Sequence, residues 1–390
     1  MIIKNAKVFR EEGAFYNGDI VMCGEIFVSH AAHSSHAEHA AYTAAAADGE
    51  VLDASGCYAI PGLIDIHQHG CVGYDFSKAP VDGIREMVRY QALNGITAVC
   101  ATTATLPEDS LMAACRRIVS TDEPHGAELV GVHLEGPFLS PEKRGAHNLA
   151  YIQAPDVKMV TRLQEAANGQ IRMIAIAPEV LGAQEFIGAI HKEHEEIVCS
   201  LAHTVADYQT ALGAFECGAW HVTHLFNAMP PLLHRDPGLI GAALDTRNVF
   251  VELICDGVHI HPSVVRAALR MFGDDRVVMI SDSLMATGLS DGSYEFAGLV
   301  IDVHGDRAVL AGTDVLAGST THLMDCMRKV VGEMGIPLES AVKCVSVNPA
   351  KSIGIFDRYG SITPGKYADL VILNEDLSIR TVFLKGKTLF

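Results

Sequence analysis

Short, nearly continuous apolar runs alternate with longer segments of helical periodicity through most of the chain. The runs are Ala59–Ile66, Thr97–Thr103, Leu129–Leu134, Ile171–Ala177, Ile197–Ala202, Trp220–Thr223, Val249–Cys255 and Val277–Ser281. Strands apolar on both faces and separated by helices predict a parallel sheet. Eight such units predict a closed (β/α)8 barrel. The helical segments carry their own boundary signals. Asp82–Asn94 stops at Gly95, Asp109–Val119 follows Pro107, and Pro262–Phe272 opens on a proline and ends at Gly273. The ends of the chain read differently. Residues 1–28 are short apolar alternations broken by Gly and Asn, the pattern of antiparallel strands. After Val345 the pattern reverts to short strands and glycine turns. The expectation is an α/β protein in which residues 1–56 and 345–390 form a small β-sandwich domain and residues 57–344 form the barrel. A length of 390 residues suits that division. Residues 29–48 stand apart, rich in Ser, His and Ala, with His30, His33, His36 and His39 spaced by three. They read as a low-complexity surface insertion, with a metal-binding tract as the alternative.

The informative polar residues follow the apolar runs. His67 and His69 follow the first, Glu135 the third, His203 the fifth and His224 the sixth. Asp256 and His259 follow the seventh, and Asp282 closes the eighth. Barrel enzymes carry their chemistry at the C-terminal ends of the strands. Ionisable groups there need partners, because burying them alone is costly. Imidazole and carboxylate together suit zinc or a similar divalent ion. His67 and His69 are two apart on a strand and share a side. His133 shares the side of Glu135, either to orient a ligand or as a packed core histidine.

Charge and composition narrow the classes. A formal charge of −18 argues against nucleic acid or an anionic membrane surface as the main partner, but leaves room for a small anionic substrate in a local basic pocket. No apolar stretch approaches the roughly 18 residues of a membrane span. Met1–Lys7 lacks a secretion signal, and the ten cysteines include no C-x-x-C pair, so a reduced cytoplasmic setting is expected.

Asp53-x-x-Gly56 followed by Pro61-Gly62-Leu63-Ile64-Asp65-Ile66-His67-Gln68-His69-Gly70 resembles the signature of the amidohydrolase superfamily. The stretch from Asn348-Pro349-Ala350 to Ala368-Asp369-Leu370-Val371 resembles its closing β segment. Internal motifs narrow the resemblance to deacetylases of N-acetylated amino-sugar 6-phosphates. They are His133–Phe138 with Lys143–Asn148, Ala202-His203-Thr204, Thr223–Met229, Asp256–His259, Ser281-Asp282-Ser283 and Ala286-Thr287-Gly288. The resemblance spans nearly the whole chain.

It implies that Glu135, His203 and His224 hold a principal divalent metal, zinc or iron(II). His67 and His69 match a second metal position that some members use and others lack. Asp282 matches the catalytic acid/base, the plainer alternative being a metal ligand or helix cap. His147 would hold the acetyl carbonyl or developing oxyanion, the alternative being a charged solvated loop. His259, Arg235 and the Asn227–Ala228 backbone amides would bind sugar hydroxyls and phosphate. Leu284, Met285 and Gly288–Gly298 would form a flap over the site or an ordinary loop. The implied reaction is hydrolysis of N-acetyl-D-glucosamine 6-phosphate to D-glucosamine 6-phosphate and acetate, by a homodimer. Rival readings are the galacto epimer as substrate, another amidohydrolase acting on a ring amide or amino-purine, and a non-catalytic scaffold of the same fold. The complete set of candidate ligands and Asp282 weighs against the scaffold.

Overall fold

The computed structural model describes residues 1–30 and 50–390. His33, His36 and His39 lie outside the described residues.

Eight parallel strands hydrogen-bond in sequence order: Leu63–Gln68, Ile96–Thr103, Glu128–Phe138, Ile171–Ile176, Val198–Leu201, His221–Val222, Phe250–Ile254 and Val277–Ile280. The eighth meets the first through a seam rather than a regular ladder. Asp282 donates its backbone N–H to the His67 carbonyl at 2.9 Å, and the Ser281 hydroxyl donates to buried Asp65 at 2.5 Å. Helices cover the outside of the barrel and bury their apolar faces in one cluster with the strands. Pro262–Phe272 is helical over the predicted span, with its N-cap at His261 and Gly273 at its end.

Two boundaries differ from the sequence reading. The first apolar run is two strands, Tyr58–Pro61 in the small sheet and Leu63–Gln68 in the barrel. Gly62 divides them, and a Cβ there would lie 2.0 Å from Thr97 Oγ1, so only glycine lets the chain cross at this point. At the other end the return to strands comes later than the pattern suggests. Lys343–Val347 is a π-helix and Asn348–Ser352 an α-helix. Ala350, Ile353, Ile355 and Tyr359 pack against Ile64, Cys100, Met173, Ile254 and Ile280, so apolar side chains of this segment share a core with the barrel strands. Its run of small and apolar residues reads equally well as strand, and tertiary packing decides it.

The small domain is an eight-stranded sheet drawn from both chain ends. Its order is Lys387–Thr388, Ile379–Leu384, Leu370–Leu373, Tyr58–Pro61, Ile2–Arg10, Ala14–Cys23 and Ile26–His30, with Val51–Asp53 also beside Ile2–Arg10. Asp369 sits where this sheet meets the barrel. Its backbone carbonyl accepts from Gly62 N–H at 2.9 Å and its Oδ1 from Lys385 N–H at 2.7 Å, while Oδ2 has no partner. Burial pushes this carboxyl up to about 7. The unfolded value is near 3.8, so the wild-type fold loses stability as pH rises from about 4 through about 7. Asp369→Asn keeps an acceptor for Lys385 and cannot ionise. Its melting temperature relative to wild type is therefore expected to climb across that window and level off above it. A pH-independent difference in thermal melts would contradict the assignment.

Gly292–Phe296, Leu299–His304 and Arg307–Leu310 form a separate three-stranded antiparallel sheet after the eighth barrel strand. The middle of the stretch expected as a flap or loop, Gly292–Phe296, is thus folded strand. Among the described residues no helix is long and apolar enough to cross a membrane.

Candidate active site

One carboxylate lies at the centre of five imidazoles. The Nε2 atoms of His67, His69, His147, His203 and His224 stand 3.4, 3.0, 3.1, 3.2 and 3.1 Å from an oxygen of Glu135. Asp282 Oδ1 lies 3.5 Å from His69 Nε2 and 3.6 Å from His67 Nε2. All seven side chains are buried or nearly so. Each comes from the C-terminal end of a barrel strand or the loop after it. His203, His224 and Asp282 each stand two residues past the end of a strand, with φ of 45°, 30° and 50°. For residues other than glycine this left-handed conformation costs about 1–3 kcal/mol, and such strain concentrates at functional sites.

Hydrogen bonds on the far side of three of the rings fix which nitrogen faces the centre. His203 Nδ1–H donates to the Lys143 carbonyl at 2.7 Å, and His67 Nδ1–H donates to Glu252 Oε2 at 2.9 Å. In their neutral forms both rings therefore turn an Nε2 lone pair inward. His147 is the reverse. Its Nδ1 accepts from the Thr105 backbone N–H at 3.3 Å, so Nε2 carries the proton and faces Glu135 as a donor. Gly145 lets this loop lie close, since a Cβ there would be 3.1 Å from the His203 ring.

The electrostatics follow from this packing. Burial would raise the Glu135 carboxyl, but the His147 and His67 imidazoles hold it well below the usual carboxylate range. Burial lowers His147 to about 4 despite Glu135, so it is neutral at pH 7. Burial would also lower His67, but Glu252 and Glu135 together raise it well above the usual value. Glu252, fully buried, is held at about 2 because His67 outweighs the effect of burial.

The donor set fits a divalent cation. Bare nitrogens of His67 and His203 aimed at carboxylate oxygens repel them unless a proton or cation lies between. His203 and His224 Nε2 are only 3.1 Å apart, and His67 Nε2 has no well-formed hydrogen bond. Two overlapping groups offer ligand atoms within 4.8 Å of one another: His67, His69 and Glu135, and Glu135, His147 and His203. Within the second group the tautomer of His147 favours a donor over a ligand. His224, equally near Glu135, is the better third member.

A cavity of about 680 Å³ opens over the cluster. Lys143, Arg144, Asn227, Ala228 and His259 line it, and Phe296, Leu310 and Val315 cover its apolar side. Phe296 stacks edge-on to His69 with centroids 5.1 Å apart. His259 Nδ1–H donates to Asp256 Oδ2 at 2.7 Å; burial would lower its pKa, but Asp256 raises it. Two of the expected substrate groups are placed differently within the single chain. Arg235 is exposed and does not line the cavity of its own chain. The Asn227 backbone N–H is taken by the His224 carbonyl at 2.9 Å and its Nδ2 donates to the Leu225 carbonyl at 3.4 Å, which leaves its Oδ1 for a ligand. His133 packs beneath His67 at 4.8 Å between ring centroids, and burial lowers it to about 3.

Some residues of this centre escaped the sequence reading. Glu252 interrupts the apolar run Val249–Cys255, and a carboxylate in the middle of a buried strand was the signal. His221 and Asp65 lie in apolar runs in the same way, both fully buried. Phe296 lies in the Gly288–Gly298 stretch expected as a flap or loop, whereas Leu310 and Val315 gave no signal.

Residues 58–389 match the model of the amidohydrolase family. The chain belongs to the amidohydrolase family. It is 38% identical to N-acetylglucosamine-6-phosphate deacetylase of Bacillus subtilis over 336 residues, 85% of this chain and 84% of that one. It is 31% identical to N-acetylgalactosamine-6-phosphate deacetylase of Escherichia coli O157:H7, covering 84% and 86%. Among solved structures, it superposes with a TM-score of 0.90 on a variant of the N-acetyl-D-glucosamine-6-phosphate deacetylase of Mycobacterium smegmatis solved with N-acetyl-D-glucosamine-6-phosphate. That match is 32% identical and covers 100% of this chain and 99% of that one. Amidohydrolases are metal-dependent, and the His/Glu clusters of this member can bind a metal.

Proposed function

We propose that this amidohydrolase cleaves the acetamide of N-acetyl-D-glucosamine 6-phosphate, releasing acetate and D-glucosamine 6-phosphate. The observation that carries the reading is a single cavity holding a ligand set, a proton-bearing imidazole and a free carboxylate. Glu135, His203 and His224 would hold the principal ion, and His67 and His69 with Glu135 a second. Zinc or iron(II) suits this donor set. Such an ion would polarise the amide carbonyl and make a water more acidic.

The protein's own groups do the rest. Asp282 accepts a proton from the attacking water and returns it to the departing nitrogen. His147 Nε2–H donates to the carbonyl oxygen as negative charge develops there. Lys143, Arg144 and His259 supply positive charge for the phosphate end, and Phe296 and Leu310 keep bulk water from the acetyl side. A homodimer in the cytoplasm is the accompanying expectation. Leu232 and Leu233, 41% and 52% exposed beside Arg235, mark a surface that a second copy would cover.

Acetate release tests the reading, with N-acetylglucosamine 6-phosphate, its galacto epimer and unphosphorylated N-acetylglucosamine run in parallel, with and without chelator. Chelator-sensitive turnover of the first, at least tenfold faster than of the others, is expected. Faster turnover of the epimer would move the substrate assignment, and equal turnover of the unphosphorylated sugar would remove phosphate recognition.

A further inference from the structure

Glu252 is a carboxylate fully buried in the seventh barrel strand, between Val251 and Leu253. Such a group is costly to bury unless it does something there. Its Oε2 accepts two hydrogen bonds, from His67 Nδ1–H at 2.9 Å and from the His224 backbone N–H at 3.1 Å. Its backbone carbonyl accepts from Leu225 N–H at 2.8 Å. Oε1 has no partner, and His221 Nδ1 stands 3.9 Å away. One side chain therefore ties the first strand to the sixth beneath the cavity. It does not line the cavity and touches no position a substrate could reach.

Its effect on His67 is specific. Accepting from Nδ1 leaves Nε2 as the only nitrogen free to bind, and aims it between Glu135 Oε1 at 3.4 Å and Asp282 Oδ1 at 3.6 Å. A carboxylate behind a ligating imidazole fixes its tautomer and makes it a stronger donor. No comparable carboxylate backs His203, whose Nδ1–H meets a backbone carbonyl, and His69 Nδ1 has no partner.

We propose that Glu252 is a positioning residue that makes the His67, His69 and Glu135 cluster competent for a second cation, while leaving the Glu135, His203 and His224 site intact. The inference rests on the two-ion reading above.

Cobalt(II) titration of metal-stripped protein tests it, followed by elemental analysis and the visible spectrum. Wild type is expected to take up two ions per chain. Glu252→Gln should bind the first ion as wild type does and the second about 10- to 100-fold more weakly, the usual cost of losing such an outer partner. His67→Asn should lose the second ion outright. The double variant should be no worse than His67→Asn, because Glu252 acts through that ring. A single ion on wild type would sink the two-ion reading itself. Two ions on wild type with unchanged affinities in Glu252→Gln would sink only the role of Glu252, as would loss of the first ion in that variant or additive losses in the double. Should Glu252→Gln fail to fold, nitrogen-15 histidine spectra of zinc-loaded wild type still decide. A hydrogen-bonded Nδ1–H signal that vanishes in His67→Asn is required, and its absence overturns the proposal.

Discussion

Asp282→Asn is expected to keep its metal and lose turnover by about 10²–10⁴-fold, the range for removing a positioned acid/base. The loss should fall on kcat with KM little changed, because an amide matches the carboxylate in shape and cannot shuttle a proton. The backbone at this position is held independently of the side chain. Asp282 N–H donates to the His67 carbonyl at 2.9 Å, and its own carbonyl accepts from Ser319 N–H at 2.7 Å. The strained φ of 50° survives the change, since asparagine tolerates the left-handed region better than most residues. A folded, metal-loaded, inactive variant is therefore the predicted result, checked by acetate release alongside elemental analysis. Turnover within tenfold of wild type would remove Asp282 from proton transfer. Loss of metal would make it a ligand instead, the alternative that its 3.5 Å approach to His69 keeps in view.

What was legible in the sequence divides along physical lines. The eight strands were readable because burial on both faces leaves apolar runs, and three of the helices because residues such as Gly273 and Pro262 mark helix ends through backbone geometry alone. His67, His69, Glu135, His203, His224 and Asp282 were readable because a barrel places chemistry where its strands stop. Glu252, Asp65 and His221 were missed for the converse reason. They sit inside the runs rather than after them, and only the assembled barrel shows their partners across it. Arg235 illustrates another limit. A resemblance transfers a residue's role without saying which surface the residue occupies, and in this chain it is exposed. The helical stretch 343–352 could not be told from strand, because its packing under the barrel, and not its local pattern, selects the helix.

Glu135→Ala is the more severe change, and it separates the enzyme from an inert relative of the same fold. Five imidazoles share Glu135 as their common partner, and two groups of candidate metal donors overlap at it. Removing it should strip metal from both positions, so bound metal is expected to drop to background after dialysis and acetate release to fall with it beyond the loss in Asp282→Asn. The fold itself has reason to survive. The Glu135 carbonyl, not its side chain, accepts from the Thr105 hydroxyl at 3.0 Å, and the Gly145 loop is tied to His203 through Lys143. A scaffold would respond differently, since a buried charge without a cation is a liability that alanine removes. If Glu135→Ala retains wild-type metal content, the ligand assignment is wrong. If wild type itself carries no metal, takes none up and gains stability from the substitution, the centre is structural. Metal content and thermal stability, measured on the same two proteins, decide among these outcomes without reference to substrate identity.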